Sequence, residues 1–443
     1  MVDIRGSQFR EKLLKEASKV AQEAELFWVA RQETPVSFEA NKLKQAQYRE
    51  TSGMALRLIK DGRIGFSSTS NLEDWKGLIK NAAEMAPFGA EAKFQFPEAL
   101  PYPSVEVLDQ SVEKMPVERM VAYGERAVKG VVSKWPEVLC DVHIVKAKSV
   151  VGIMNTRGCR AEYTKSIFDM SLQGTRIRGT DMLWVWDGQS SCKAQDFTDE
   201  VVANVLKQLD LAAETVPAPR GDLPVVFTPE GVASALLSPL LSGFSGKSVL
   251  QGASPLVGKL GQRVVSKGFS MWDEPTLAYV PGSRICDDEG GPSRKVPLLE
   301  EGTAANFLYD LQTAAQAKAK STGSAERSLN SLPGPGAGVL VVKEGDASEE
   351  DIIADVKEGL LVVGLLGAGQ SNILGGDFKA NVLLGYKIEK GKILGRVKDT
   401  MIAGNAYKAL NNLRAVGNKG RWVGGSLKTP MICCDGISVA SSK

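Results

Sequence analysis

Histidine is almost absent from this chain: its 443 residues include a single one, His143. A zinc site of the HExxH type needs two histidines on one helix face, so the sequence excludes that class of site. A Ser-His-Asp hydrolase would depend entirely on this one residue. His143 alternates with Val142 and Ile144 in a segment with strand character, which predicts a partly exposed structural side chain.

The chain also lacks long apolar runs and an excess of charge of one sign. Its longest near-apolar runs, 231–241 and 360–368, fall short of the roughly 18–20 residues that span a bilayer. The first residues lack the apolar core of a signal peptide, and six cysteines without such a signal indicate reduced thiols. A net charge of +2 with no basic block argues against direct nucleic-acid binding. We therefore expect a soluble cytoplasmic protein with no membrane segment.

Glycine and proline suggest where the chain divides. Only 13 of the 45 glycines precede residue 221, and the change falls at the proline-rich stretch Val216–Pro224. Prolines at this density interrupt helices and inner strands. We predict two domains, 1–216 and 217–443, with an α+β fold in the first and a glycine-rich, strand-dominated second one.

In the first domain, apolar residues at helical spacing predict helices over 7–25 and 117–134. Alternating residues on both sides of Asp61-Gly62 predict a hairpin between Met54 and Phe66. A run of strands from about Val138 to Trp186, with a turn at residues 156–158, completes helices packed on a mostly antiparallel sheet.

The second domain begins with a strand ending at Phe227 and a helix capped by Thr228 with Pro229 at its first position. Beyond it, the pattern predicts loops and short strands. Those strands are predicted at 339–342, 359–366, 382–389 and 391–400.

Several short motifs carry weak chemical signals. Gly246-Lys247-Ser248 lacks the earlier glycine of a phosphate loop and is interpreted as a turn after a helix, and Gly334–Gly338 as a linker. Two Ser-x-x-Lys matches, Ser111–Lys114 and Ser190–Lys193, are close to chance. Cys433 and Cys434 are adjacent, so a strand would place them on opposite faces, as buried apolar residues.

The acidic sequence Asp287-Asp288-Glu289 precedes two glycines. Three carboxylates in this position could hold calcium or magnesium, or could bind a cationic group or peptide amines. Residue types alone favour the simpler interpretation, a solvated acidic turn.

Taken together, several segments resemble one family, the TldD/PmbA (TldE) family. In the first half these are Gly53–Arg57, Lys60–Phe66 and Ser68–Ser70. In the second half they are Gly258–Gly261, Asp273–Pro275, Asp287–Gly290, Glu301–Gly302, Ser321–Gly323, Gly376–Phe378, Ile388–Gly391 and Ile402–Asn405. The resemblance covers nearly the whole chain.

The resemblance also separates two arms of that family. TldD-like members carry an HExxxH helix near the start of the second domain and a further cysteine ligand near the C-terminus. Here the corresponding helix, 231–241, has no histidine and only Glu230 at its start, and the C-terminal segment Arg421–Leu427 has no cysteine. The chain therefore resembles the PmbA/TldE arm.

This resemblance implies a non-catalytic subunit that pairs with a TldD-like paralogue in a zinc metalloprotease for unfolded peptides. Zinc belongs to the partner, and we expect no metal, cofactor or catalytic residue in this chain; a homodimer is possible in isolation. Candidates for a peptide cavity or interface are Asp287, Asp288, Glu289, Ser321 and Thr322. Two alternatives stay open: a regulatory or binding protein, as the family label "modulator of DNA gyrase" suggests, and a metal-independent peptidase.

Overall fold

The computed structural model describes Ile4 and residues 6–441. The helices are α1 (Ser7–Ala17), α2 (Trp75–Met85), α3 (Gln110–Lys114), α4 (Val117–Val132), α5 (Thr198–Leu211), α6 (Pro229–Val232), α7 (Ser238–Phe244), α8 (Gly246–Leu250), α9 (Leu311–Gln316), α10 (Glu349–Ala354) and α11 (Ala406–Asn411). The strands are β1 (Glu23–Glu39), β2 (Lys42–Ala46), β3 (Arg49–Lys60), β4 (Arg63–Thr69), β5 (Leu139–Asn155), β6 (Arg160–Arg178), β7 (Asp181–Ser191), β8 (Gly221–Phe227), β9 (Met271–Asp273), β10 (Val296–Glu300), β11 (Thr303–Ala304), β12 (Ala325–Glu326), β13 (Gly334–Pro335), β14 (Leu340–Val342), β15 (Glu358–Leu366), β16 (Asp377–Glu389), β17 (Lys392–Arg396), β18 (Thr400–Asn405), β19 (Leu413–Val416), β20 (Arg421–Val423), β21 (Leu427–Thr429) and β22 (Ile432–Ser441).

The first half forms one long antiparallel sheet, in the order β4-β3-β1-β5-β6-β7, with β2 paired to β1. The predicted hairpin is confirmed as β3 and β4. Asp61 and Gly62 connect the two strands with φ angles of 51° and 71°, the left-handed pair that a tight two-residue hairpin turn requires. Among the described strands, β7 pairs with β6 alone, so β7 is an edge of this sheet.

The helix predicted over 7–25 is wrong in its second part. Helix α1 ends at Ala17, and Ala24 lies in β1, paired with Leu58. From Ala24 onwards every second residue, Leu26, Trp28 and Ala30, packs in the core under α1 and α2, whereas Phe27 packs on the opposite face. The period is therefore that of a strand, although Ala17, Val20 and Ala24 by themselves also fit a helical spacing.

Helices cover one face of this sheet. Helices α1 and α2 pack on one end of that face, around Leu26, Leu56 and Leu58. The helix predicted over 117–134 is confirmed as α4, which packs with α5 on the other end. The opposite face of the sheet meets loops of the second half, where Cys286 contacts the cluster around Phe27.

The second half contains two larger sheets. One has the order β15-β8-β22-β18-β16-β17, with β19 on β22, and the other the order β11-β10-β9-β14-β21-β20. The predicted strands recur as β14, β15, β16 and β8, whereas the segment 391–400 is divided into β17 and the first residue of β18. Mixed helices and antiparallel sheets confirm the α+β class. The predicted division at 216/217 falls between α5 and β8.

One apolar core is shared by the two halves. It combines α4, α5 and the inner strands of the first sheet with residues of the second half such as Val226, Leu361 and Tyr386. Cys433 belongs to this core and Cys434 to the other core of the second half, as expected for adjacent strand residues on opposite faces.

The helix after β8 begins as predicted and then changes register. The Thr228 hydroxyl accepts a hydrogen bond from the Gly231 N–H, and Pro229 occupies the first turn of α6. A π-helical turn, Ala233–Leu237, joins α6 to α7. Pro239 in α7 has no N–H to donate to the preceding turn, which accounts for the interrupted α-helical ladder.

Two short motifs differ from their predicted structures. Gly246-Lys247-Ser248 is not a turn but the start of the short helix α8. The Gly246 N–H donates to the Leu308 carbonyl at the beginning of this helix. Gly334–Pro335 is not a bare linker but β13, which pairs with β12. Among the helices of the described residues, none combines the length and apolarity needed to cross a membrane.

Candidate functional site

A large cleft lies where the two halves meet. This junction cleft, of about 920 Å³, is bounded by β7 and α5 from the first half and by α6, α10, β15 and β20 from the second. Its apolar lining includes Leu361, Val363, Tyr386 and Met431. Its polar lining includes Gln189, Glu200, Asn204, Lys207, Glu230, Glu349, Glu350, Lys419 and Arg421. The lining thus combines apolar and charged side chains from both halves of the chain.

A second cleft lies beside it, over the face of the first sheet that the helices leave open. This sheet-face cleft, of about 780 Å³, is lined by Asp141, His143, Asp169, Asp187 and the loop residues Gly424 and Gly425. The two clefts share four lining residues, so they are neighbours with a common wall. The shared residues are Gln189, Ser190, Glu230 and Trp422.

A cluster of three charges lies at that common wall: Glu230 lines both clefts, Arg421 lines the junction cleft and Asp187 lines the sheet-face cleft. The Arg421 Nη2 atom donates to Asp187 Oδ1 at 2.5 Å, and Arg421 Nη1 lies 3.9 Å from Glu230 Oε1. Asp187 is buried, and its second oxygen accepts from the Asn204 amide at 2.9 Å. Burial raises the pKa of Asp187, while Arg421 and Asn204 act against that rise. The carboxylate is therefore held by one partner from each half of the chain.

The sheet-face cleft brings His143 near serine and aspartate side chains. Ser171 lies opposite His143 on β6, and Ser190 lies opposite Asp169 on β7. Burial raises the pKa of Asp169, and its hydrogen bond with Ser190 and the nearby His143 oppose the rise. In the described residues no hydrogen bond joins His143 to a serine hydroxyl, so the arrangement lacks the serine–base contact of a nucleophilic site. His143 is exposed, on the face that the alternation predicts.

The two segments that the resemblance aligns with zinc-ligand positions lie together in the structure. Glu230 lies in the first turn of α6, Arg421 begins β20, and their side chains approach to 3.9 Å. Within the described residues, no three histidine, cysteine or acidic side chains are grouped to hold a metal. The Arg421 guanidinium between Asp187 and Glu230 already places a positive charge where a metal ion would have to bind. The residues present therefore do not fit the zinc that the family implies.

The predicted acidic turn is buried and is not solvated. Asp287 and Glu289 are each about 1% exposed. The Asp287 carboxylate accepts backbone N–H bonds from Glu289, Gly291 and Ala325, which closes the loop on itself. Asp288 accepts from the Arg327 N–H at 2.9 Å. These bonds satisfy the carboxylates internally, which the residue types alone do not reveal.

Glu289 connects this loop to the first sheet. Its Oε1 atom accepts from Arg57 Nη1 at 2.6 Å, and Arg57 also makes a two-point contact with Glu25. Arg327 lies 3.0 Å from Glu25 and stacks over Phe27. Burial raises the pKa of Glu289 to about 7, against the opposing effect of Arg57. The loop thus contributes to a buried ionic cluster between the two halves.

The Ser321 and Thr322 side chains also form hydrogen bonds within the protein, to the backbone of Tyr309. The Thr322 hydroxyl accepts from the Tyr309 N–H, and the Ser321 hydroxyl donates to the Tyr309 carbonyl. The structure brings them near Asp287 only through intervening residues such as Ser324 and Ala325. None of the five predicted residues lines either cleft, so their role in a peptide cavity stays a prediction.

Sequence reasoning missed Asp187, Asn204 and Trp422. Asp187 and Arg421 are 234 positions apart, and no motif connects them. The one available signal was that Arg421 begins the segment aligned with the zinc-ligand cysteine of TldD-like members. That alignment indicates that Arg421 lies at the site, but it does not indicate that Arg421 pairs with Asp187.

Comparison with known proteins now identifies the family. The model of the PmbA/TldA metallopeptidase C-terminal domain matches residues 220–441, just over half of the chain, and that of domain 1 matches residues 24–86. The chain belongs to the TldD/PmbA family. Among curated relatives, an uncharacterized protein of Methanocaldococcus jannaschii is 26% identical over 90% of this chain and 92% of its own. A TldD-homologous metalloprotease of Haemophilus influenzae is 25% identical over 89% and 85%.

Solved structures of this TldD/PmbA fold superpose on nearly the whole chain. TldE from Thermococcus kodakarensis is 25% identical, with a TM-score of 0.88, and covers 98% of this chain and 100% of its own. A candidate modulator of DNA gyrase from Thermotoga maritima is 22% identical, with a TM-score of 0.85, and covers 98% and 99%. The second likeness shows the fold alone.

Proposed function

We propose that this chain is the non-catalytic, TldE-like subunit of a heterodimeric zinc metalloprotease that degrades or processes unfolded peptides. One observation supports this most directly: the two segments aligned with ligand positions meet around Arg421 and not around metal-binding side chains. A zinc hydrolase needs about three protein ligands and an activated water. The TldD-like partner would supply both.

The clefts give this subunit a surface for peptides. Edge strand β7 lines both of them. The Gln208 side-chain amide bonds the outward N–H and C=O of Trp186, which occupies one position of that edge. By the alternation of an antiparallel strand, the main chains of Gly188 and Ser190 also point away from β6. An extended peptide could pair there through its backbone, with little dependence on its sequence.

The deciding experiment measures degradation of an unfolded peptide by this chain, by its host's HExxxH-bearing paralogue and by their mixture, each with and without a chelator. We expect activity in the mixture alone, lost on chelation, and a complex of the two chains on size-exclusion chromatography. Chelator-resistant cleavage by the single chain would overturn the proposal and favour the metal-independent peptidase. A mixture that neither associates nor gains activity would also overturn it, and would favour the regulatory alternative.

Trp422 provides a variant within the same assay. Because its indole lines both clefts, Trp422→Ala should weaken peptide degradation by the mixture while leaving the complex intact. Phe88→Ala is the matched control, since Phe88 is an exposed aromatic residue outside both clefts. Equal peptide degradation by mixtures that contain the two variants would show that peptides do not bind in these clefts.

A further inference from the structure

The contact between β7 and β20 joins the two halves at the wall between the clefts. Strand β7 is an edge of the first sheet, and β20 is the last strand of the β11–β20 sheet. The two strands form no ladder with each other in the described residues: β7 pairs with β6, and β20 pairs with β21. The direct link between them is the bond from Arg421 to Asp187.

Asp187 depends on this link for its charge balance. Its side chain is about 3% exposed, whereas that of Arg421 is 27% exposed. Asn204 supplies a neutral hydrogen bond, and Glu230 adds a second negative charge that further raises the pKa of Asp187. Arg421 is thus the cation that compensates a buried carboxylate, and burying an unpaired carboxylate is costly.

Arg421 is also the sequence neighbour of Trp422. The two residues are consecutive in β20, which pairs with β21, so the bond from Arg421 to Asp187 also ties the strand that carries Trp422 to β7. Trp422 lines both clefts, and Glu230, the second carboxylate beside Arg421, does so too. Arg421 therefore connects the strand that carries Trp422 to the first sheet, beside both clefts.

We infer that Arg421 is a built-in structural cation that holds the two halves together across the paired clefts and positions Trp422 in their common wall. It provides at this junction the positive charge that two neighbouring carboxylates would otherwise take from a bound cation. This role goes beyond the proposed subunit function, since it concerns the single chain and requires no partner.

The test is chemical rescue. Arg421→Ala should lower the Tm of the purified chain by several degrees, and low millimolar ethylguanidinium, which replaces the missing group, should recover most of the loss by mass action. Ethylammonium at the same concentration should recover little, because it lacks the planar fork that pairs with a carboxylate. Neither compound should raise the Tm of the wild-type chain.

Arg414→Ala is the matched control. Arg414 also lies between two carboxylates, Asp355 and Asp435, but both of these are at least half exposed. Its loss should lower the Tm only slightly and give no rescue. Equal losses for the two alanine variants, or a loss at Arg421 that ethylguanidinium does not recover, would overturn the inference.

A second set of variants tests the same inference if Arg421→Ala does not fold. Arg421→Gln leaves Asp187 unpaired, whereas Arg421→Gln combined with Asp187→Asn removes both charges. We expect the double variant to have a higher Tm than Arg421→Gln alone. A double variant whose Tm is lower than that of Arg421→Gln would show that Asp187 does not depend on the cation.

Discussion

At Arg57 a fully buried guanidinium is paired with a carboxylate from each half of the chain, Glu25 and Glu289. Burial acts to lower the pKa of Arg57, but the two carboxylates outweigh it and raise the pKa. Phe94 and Phe96 lie near the guanidinium, about 5 Å from it, and complete an apolar surrounding. In such surroundings the loss of one partner costs more than the intact pair contributes.

Arg57→Gln should therefore lower the free energy of unfolding by about 3–5 kcal/mol, because Glu289 loses its ion-pair partner and Glu25 keeps only Arg327. Urea unfolding at neutral pH measures the change. Arg178→Gln is the control: its pair with Glu137 is largely exposed, and its loss should cost less than about 1 kcal/mol. Similar losses for both variants would contradict this account of the buried cluster.

Asp273 predicts a pH dependence. The residue is fully buried, one carboxylate oxygen has no partner in the described residues, and burial raises its pKa to about 6. The folded state then binds more protons than the unfolded one, whose aspartate pKa is about 3.9. Stability from this group is thus present at low pH and is lost as pH rises from about 4 through about 6.

Asp273→Asn should remove that contribution. The difference in unfolding free energy between the variant and the wild type should grow in favour of the variant between about pH 4 and pH 7, then level off. Denaturant unfolding of both proteins at a series of pH values measures this difference. The other buried acids titrate in both proteins, so their contributions cancel when the two free energies are subtracted. A constant difference across this range would show that Asp273 is charged throughout.

At the scale of elements, local chemistry determined the parts that could be predicted. The β3–β4 hairpin follows from Asp61-Gly62, and the start of α6 follows from Thr228 and Pro229, because each signal acts within four residues. The helix prediction over 7–25 failed where apolar residues satisfy two periods at once. At Ala24 the pairing with Leu58 of β3 favours the strand over the helix.

The hairpin turn provides the prediction at this scale. Gly62→Ala should destabilise the chain by about 1–2 kcal/mol, because Gly62 has a φ of +71° and an alanine is strained there. Gly369→Ala is the control: a methyl group at either position meets open space, but Gly369 does not have a positive φ. Thermal unfolding of both variants separates backbone strain from packing, and equal Tm values would contradict the proposed turn geometry.

At the scale of the whole molecule, the two halves pack too closely to behave independently. Gly364 of β15 faces Trp186 of β7, and an added Cβ atom would lie 2.2 Å from the indole ring. Tyr386 donates to the Gln208 carbonyl across the same junction. The shared core and these contacts indicate a single cooperative unit.

Gly364→Ala should therefore lower the Tm of the whole chain in one transition, because the methyl group displaces Trp186 from the junction. In a Trp186→Phe background, where the smaller ring leaves room, the same change should lower the Tm less. Calorimetry of the four proteins measures the coupling. Equal effects in both backgrounds, or two separate transitions, would contradict the single-unit interpretation.

The sequence by itself determined the α+β class, the main strands of both halves, the family and the absence of an HExxH site, because each depends on local period, turn residues or residue counts. Only the tertiary structure showed that Asp287 and Glu289 are buried. Glu289 is paired in the interior with Arg57, which is 232 positions away in the sequence, so no local pattern indicates the pair. The clefts and the Arg421–Asp187 link are likewise products of folding. Charges distant in the chain become partners only when packing removes them from water, and their burial then makes the pairing necessary.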